Sequence, residues 1–219
     1  MAPLIQINPE HPEPAKIQQA AGIILNGGLI AYPTETVYGL GANIFHRPAV
    51  NRIYSVKGRS AGKAIIVIVA SIHQLKELVA HISPTALKLM EYFWPGALTL
   101  VFTASARVPP EICGGGNSIA IRIPANQICL DLINYCKVPL TSTSANFAGA
   151  PNPISAQMVA QTIGNHLDLI IDGGMSASPV PSTLLDVRTE PVRLLRSGAI
   201  EINQIERICQ LEKKEFENI

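Results

Sequence analysis

Four polar segments carry the side chains that could do chemistry, and each lies beside an apolar stretch. The first runs Tyr32-Pro33-Thr34-Glu35-Thr36-Val37-Tyr38-Gly39-Leu40-Gly41. Its hydroxyls suit either a turn that caps backbone groups or a ligand loop. The second, Lys57-Gly58-Arg59-Ser60-Ala61-Gly62-Lys63, sets three cations close together. In an extended chain Lys57 and Arg59 point the same way. Such a pair can clamp a polyphosphate, lysine as a point charge and arginine as a bidentate fork. The other reading is a solvated basic loop. A Walker A pattern, GxxxxGK(S/T), is absent.

The third segment, Thr141-Ser142-Thr143-Ser144-Ala145-Asn146, crowds hydroxyls and an amide together. That density suits phosphate, ribose or carboxylate, or a helix-capping turn. A serine nucleophile has little support. There is no GxSxG, and none of His11, His46, His73, His81 or His166 lies in a motif that would pair with it. The fourth group is Arg122, Ser182-Thr183 and Arg196-Ser197-Gly198. Arg122 interrupts the apolar run Ala120-Ile121-Arg122-Ile123-Pro124, so it needs a protein carboxylate or an anionic ligand. Paired glycosidase carboxylates, HExxH and a GxGxxG after a strand are all missing. Cations, hydroxyls and amides together suit phosphoryl or nucleotidyl transfer, in which anionic groups are bound and neutralised. No metal site is expected: Cys113, Cys129, Cys136 and Cys209 form no CxxC pair and have no histidine at zinc-ligand spacing. They read as reduced thiols.

The elements that must position these loops alternate in type. Helical spacing covers Pro14 to Leu25, Pro48 to about Val56, a stretch opening at Ser83-Pro84, Cys129 to Tyr135, Ile154 to Ile163 and a closing Ile200 to Leu211. Ser83 is the expected N-cap, followed by Pro84 in the first turn. Strands are expected at Leu29 to Tyr32, Ala64 to Val69, Leu98 to Phe102, Ser118 to Ile123, Val138 to Leu140, Leu169 to Ile171, Thr183 to Val187 and Val192 to Leu195. The fold class is α/β, a twisted mixed sheet flanked by helices, with antiparallel pairs among the late strands. Ligand sites in such folds lie at strand ends.

Composition narrows the function. The chain has 219 residues, 47% of them hydrophobic and 15% charged, which excludes a disordered chain. A single domain over 1–219 is expected, with its core at about 14–205 and a charged tail at about 212–219. The formal net charge is +1, so no global field draws the chain to nucleic acid or an acidic membrane. The longest apolar run, Ala64 to Ala70, falls far short of the roughly 20 residues of a spanning helix. The N-terminal segment lacks a secretory pattern. A cytoplasmic location is expected.

PTETVYGLGA, KGR, WPGALTL, IAIRIPA, TSTSAN, PSTLLD and LLRSGAI, in this order, resemble the YrdC family in its short form. The resemblance implies a concave, positive cavity and an L-threonylcarbamoyladenylate synthase. Such an enzyme joins L-threonine, bicarbonate and ATP, with Mg²⁺, and releases pyrophosphate. A downstream threonylcarbamoyl-transfer complex then modifies tRNA next to the anticodon. By resemblance, Thr34, Arg122, Ser142 and Ser182 bind L-threonine. Lys57, Arg59, Ser144, Asn146, Asn152 and Arg196 bind ATP, and Lys57 with Arg59 form the catalytic pair. Two positions depart from the family pattern: Ser60 stands where many relatives have proline, and Ile68 where longer relatives have histidine. Two alternatives are a non-catalytic module that contacts double-stranded RNA or tRNA directly, and a paralogue with another acceptor.

Overall fold

The computed structural model describes residues 1–58, 62–176 and 179–212. Arg59, Ser60 and nearly all of the expected charged tail lie outside the described residues. In chain order the elements begin with β1 (Leu4–Gln6), α1 (Pro14–Leu25), β2 (Ile30–Tyr32), β3 (Gly39–Gly41), α2 (Arg47–Lys57) and β4 (Ile66–Ile68). Next come α3 (Ile72–Leu78), α4 (Pro84–Phe93), β5 (Leu98–Thr103), β6 (Ser118–Arg122), α5 (Gln127–Cys136), β7 (Leu140–Thr141) and β8 (Thr143–Ser144). The last third contains α6 (Ala156–Ile163), a short 3-10 turn (Gly164–His166), β9 (Leu169–Asp172), β10 (Thr183–Asp186), β11 (Val192–Arg196), α7 (Ile202–Glu206) and β12 (Leu211–Glu212).

The fold is α/β with mixed pairing, but the strands form two sheets rather than the expected one. The smaller has the order β1-β9-β2-β3-β8 and the larger β12-β11-β10-β5-β6-β4-β7. β2, β5, β6 and β9 are buried on two faces over most of their length, which is why they read as apolar runs. Side chains still alternate between two cores. Ala31 joins the larger core while its neighbours Ile30 and Tyr32 join the smaller, and Ile170 likewise faces away from Leu169 and Ile171. The smaller core is closed by α1 and α5, whose Ile17, Ala20, Ile24, Ile128, Leu132 and Ile133 are all buried.

Local chemistry accounts for the helix ends. Ser83 accepts from the Ala86 N–H as expected, and Asn126 and Ser155 cap α5 and α6 in the same way. Gly58, at φ 59°, ends α2 in the left-handed conformation that glycine adopts freely. Lys57 is therefore the last helical residue, and the extended Lys57–Arg59 geometry does not hold at Lys57.

Three expectations need correction. The closing helix stops at Glu206, and the chain returns as β12, parallel to β11. The Val192 N–H donates to Gln210, so the open edge of β11 captures a segment whose apolar spacing also suited a helix. Of the late strands only β10 and β11 pair antiparallel. β9 joins the smaller sheet, parallel to β1 and β2. β1, β3, α3 and β8 were not anticipated. β3 is Gly39-Leu40-Gly41, a sequence of low strand propensity. Its glycines answer to packing: a Cβ on Gly41 would lie 2.3 Å from the Tyr32 ring, and one on Gly39 would lie 2.9 Å from Ser142 Oγ.

Candidate active site

A cavity of about 1070 Å³ lies between the two sheets, walled by β3 and β8 on one side and by β4, β5, β6, β10 and β11 on the other. Lys57, Lys63, Arg122, Arg188 and Arg196 line it, and no Asp or Glu does among the described residues. The hydroxyl-rich segment crosses between the sheets. Thr141 pairs with β4 in the larger sheet, and Thr143 and Ser144 pair with β3 in the smaller. Ser142 is the crossing residue. Its N–H donates to Ile66 at 2.7 Å, while its Oγ is buried with no hydrogen-bond partner among the described residues.

The end of α2 meets the exit of β8. Lys57, 4% exposed, donates through Nζ to the Ser144 carbonyl at 2.6 Å, the Asn146 carbonyl at 2.9 Å and Asn146 Oδ1 at 3.0 Å. Ser144 Oγ donates to Asn146 Oδ1 at 2.7 Å, and Asn146 Nδ2 donates to the Ala150 carbonyl, also at 2.7 Å. Lys57 is thus a buried cation that donates to oxygens of Ser144 and Asn146. The solvated-loop reading is excluded for it. Asn152 lines the same cavity and donates to the Pro179 carbonyl at 3.2 Å.

A second cluster forms where the loop after β2 approaches β6. Arg122 Nη1 donates to Glu35 Oε1 at 3.0 Å and to Thr36 Oγ1 at 3.2 Å. Of the two partners the sequence allowed for this arginine, the protein carboxylate is present. Thr34 lies one layer back: its Oγ1 donates to the Val37 carbonyl at 2.7 Å and meets Thr36 Oγ1 at 2.9 Å. Of these two threonines, Thr36 lines the cavity and Thr34 does not. Ile68 is fully buried in the smaller core and opposite Arg122 in register, so it brings no polar group to this cluster.

Arg196, at the end of β11, completes the wall. Its Nη2 donates to the Ser182 carbonyl at 2.9 Å and to Ser182 Oγ at 3.2 Å. Ser182 Oγ also meets Thr99 Oγ1 at 2.7 Å. Among the described residues no carboxylate pairs with Arg196. Burial, helped by the Arg122 guanidinium, pushes its pKa below the ordinary arginine value. Gly198 allows this approach, since a Cβ there would lie 2.3 Å from Thr183 N and 2.4 Å from the Ser182 carbonyl carbon.

The cavity thus gathers Lys57, Arg122, Ser142, Ser144, Asn146, Asn152, Ser182 and Arg196 from the expected set. Sequence reading missed Arg188 and gave Lys63 no role. Arg188 is held by a two-pronged pair with the buried Asp186, at 2.8 and 2.7 Å. The Asp-x-Arg spacing at the end of a strand was its one visible signal. The four cysteines are free thiols, and no group of three or more His, Cys, Asp or Glu among the described residues is placed to hold a metal.

Residues 22–198 match the family model Sua5_yciO_yrdC, described as telomere recombination. A curated relative from Pyrococcus abyssi, named threonylcarbamoyl-AMP synthase, is 44% identical over 199 residues, covering 91% of this chain and 58% of that protein. One of the same name from Bacillus subtilis is 39% identical over 194 residues, covering 88% of this chain and 56% of that protein. The chain therefore spans little more than half the length of these two relatives. The crystal structure of P. abyssi Sua5 complexed with L-threonine superposes with a TM-score of 0.91 at 42% identity, covering 95% of this chain and 62% of that one.

Proposed function

This chain belongs to the Sua5–YciO–YrdC family, and we propose that it is a nucleotidyltransferase that makes L-threonylcarbamoyladenylate and pyrophosphate from L-threonine, bicarbonate and ATP. The observation that carries this reading is the Arg196 wall. A guanidinium that pairs with no carboxylate among the described residues faces the same cavity as the buried Lys57 ammonium. Cations from two separate elements that line one cavity suit a polyphosphate. The relatives' name, and the L-threonine in the P. abyssi structure, support the amino-acid half.

In this reading Arg122, Ser142 and Ser182 hold L-threonine, with Thr34 acting through Thr36. Lys57, Ser144, Asn146, Asn152 and Arg196 hold ATP, and Arg59 joins Lys57. The neutral threonine amine takes up carbon dioxide derived from bicarbonate and becomes a carbamate. A carbamate oxygen attacks the α-phosphorus and pyrophosphate leaves in line. Lys57 and Arg196 offset the negative charge that builds on the phosphates. Mg²⁺ would enter with the triphosphate, as part of the substrate. The product would pass, in the cytoplasm, to a complex that transfers the threonylcarbamoyl group to tRNA. Direct tRNA contact is a further part of the reading. No helix among the described residues is long and apolar enough to cross a membrane.

The test is pyrophosphate release from ATP by the purified chain, with L-serine and L-valine as controls. Release that requires both L-threonine and bicarbonate is expected. Release indifferent to the amino acid would sink the reading.

A further inference from the structure

The cations of the cavity differ in how they are balanced. Among the described residues Arg196 meets neutral oxygens, but Arg122 is paired with a carboxylate. That pair is made through one N–H only. Arg122 Nε and Glu35 Oε2 are both buried, and neither has a hydrogen-bond partner among the described residues. The Arg122 side chain is 4% exposed and the Glu35 side chain 18%. A buried ion pair that joined all its groups would be bidentate, as Asp186 and Arg188 are in this same chain. Here one donor stays unmatched on the cation and one acceptor on the anion. An unmatched buried polar group is costly unless a ligand or a movement satisfies it.

We propose that Glu35 is a specificity-determining residue that makes the Arg122 end of the cavity select a zwitterionic α-amino acid over a plain carboxylic acid. The inference rests on the amino-acid reading above. The pair is neutral as a whole, so it adds no net positive charge for an arriving monoanion. A zwitterion brings one charge of each sign on a single carbon. Its carboxylate matches the guanidinium, and its ammonium matches the Glu35 carboxylate. Arg196, which meets no carboxylate among the described residues, suits a bare anion instead. Phosphate and amino-acid ends of the cavity are thereby told apart by charge balance as well as by shape. Glu35 lies directly behind two lining residues, since one Arg122 nitrogen bridges Glu35 Oε1 and Thr36 Oγ1.

The experiment is calorimetric titration of the full chain with L-threonine and with 3-hydroxybutyrate, which keeps the carboxylate and hydroxyl but replaces the ammonium with hydrogen. The wild-type chain should prefer L-threonine by about tenfold or more. In Glu35→Gln the L-threonine affinity should fall about 10- to 100-fold. The 3-hydroxybutyrate affinity should stay level or rise, because the site then carries a net positive charge. ATP titration of the same sample should be unchanged, which a collapsed cavity would not allow. Equal loss for both acids, or an unchanged preference, overturns the role of Glu35. The wild type alone can also overturn it, by binding 3-hydroxybutyrate as tightly as L-threonine. A wild-type chain that binds neither acid overturns the amino-acid reading itself.

Discussion

Lys57 supports both the cavity and the loop behind it. Its ammonium donates to oxygens of Ser144 and Asn146, so Lys57→Ala removes a cation and also leaves those acceptors without their donor. The structure predicts a loss of about 1–3 kcal/mol in urea unfolding, together with a fall of roughly 100-fold or more in pyrophosphate release. Full activity in that variant would contradict the phosphate role of Lys57. The thiols make a second residue-scale case. Burial pushes Cys136 up to about 11 and Cys129 well above the ordinary thiol range, so few thiolates exist near neutrality. Native protein at pH 8 should leave both unmodified by iodoacetamide on a timescale that labels a model thiol fully, as peptide mass mapping would reveal.

Single elements set the geometry of the wall. The turn after β11 presses Gly198 against the backbone at Pro181–Thr183, where no flexible side chain can yield. Gly198→Ala should therefore displace Ser182 and Arg196 together, at a cost of about 1–3 kcal/mol in thermal unfolding and with a larger loss of pyrophosphate release. At the end of β10 burial raises the Asp186 pKa, but hydrogen bonds from the Arg188 side chain and backbone outweigh it and hold the carboxyl below the ordinary aspartate value. A lowered folded pKa means that the contribution is present above the unfolded value and lost as pH falls through the folded one. Wild type should thus exceed Asp186→Asn by about 1–3 kcal/mol at pH 7. That gap should close as urea titrations move below about pH 4. A gap that widened with acid would refute the assignment.

At the scale of the molecule, the cavity belongs to neither sheet alone. Ser142 hands the chain from one sheet to the other, and Lys57 and Asn146 tie the end of α2 to the exit of β8. A ligand that spans this seam binds the folded state and not the unfolded one. L-threonine and ATP together, each at a hundredfold excess over its dissociation constant, should add about 2.7 kcal/mol per site. For a chain of this size that is roughly 5–10 °C of melting temperature for each ligand. Scanning calorimetry with either ligand alone and with both would read the two increments, and a null shift with both would contradict a shared cavity.

Much of this was legible in the chain. Pro14–Leu25 needed only apolar spacing and a glycine stop, and Ser83-Pro84 needed only cap chemistry. The polar loops were visible because cations, hydroxyls and amides gathered beside apolar strands. Lone Arg122 announced a partner by the cost of burying it. Periodicity and local hydrogen bonding are short-range, and sequence carries them directly. Which strand joins which sheet is not short-range. β9 looked like a late neighbour of β10, yet it sits beside β1 and β2 because its two apolar faces fill two different cores. β3 was hidden because its glycines answer to the Tyr32 ring and not to strand propensity. The choice of Glu35 for Arg122, and of neutral oxygens for Lys57 and Arg196, also depended on contacts between residues far apart in the chain. Sequence determined which groups the cavity would use. Only tertiary packing decided which partner each of those charges meets, because charge balance in a buried site depends on distance in space and not on spacing along the chain.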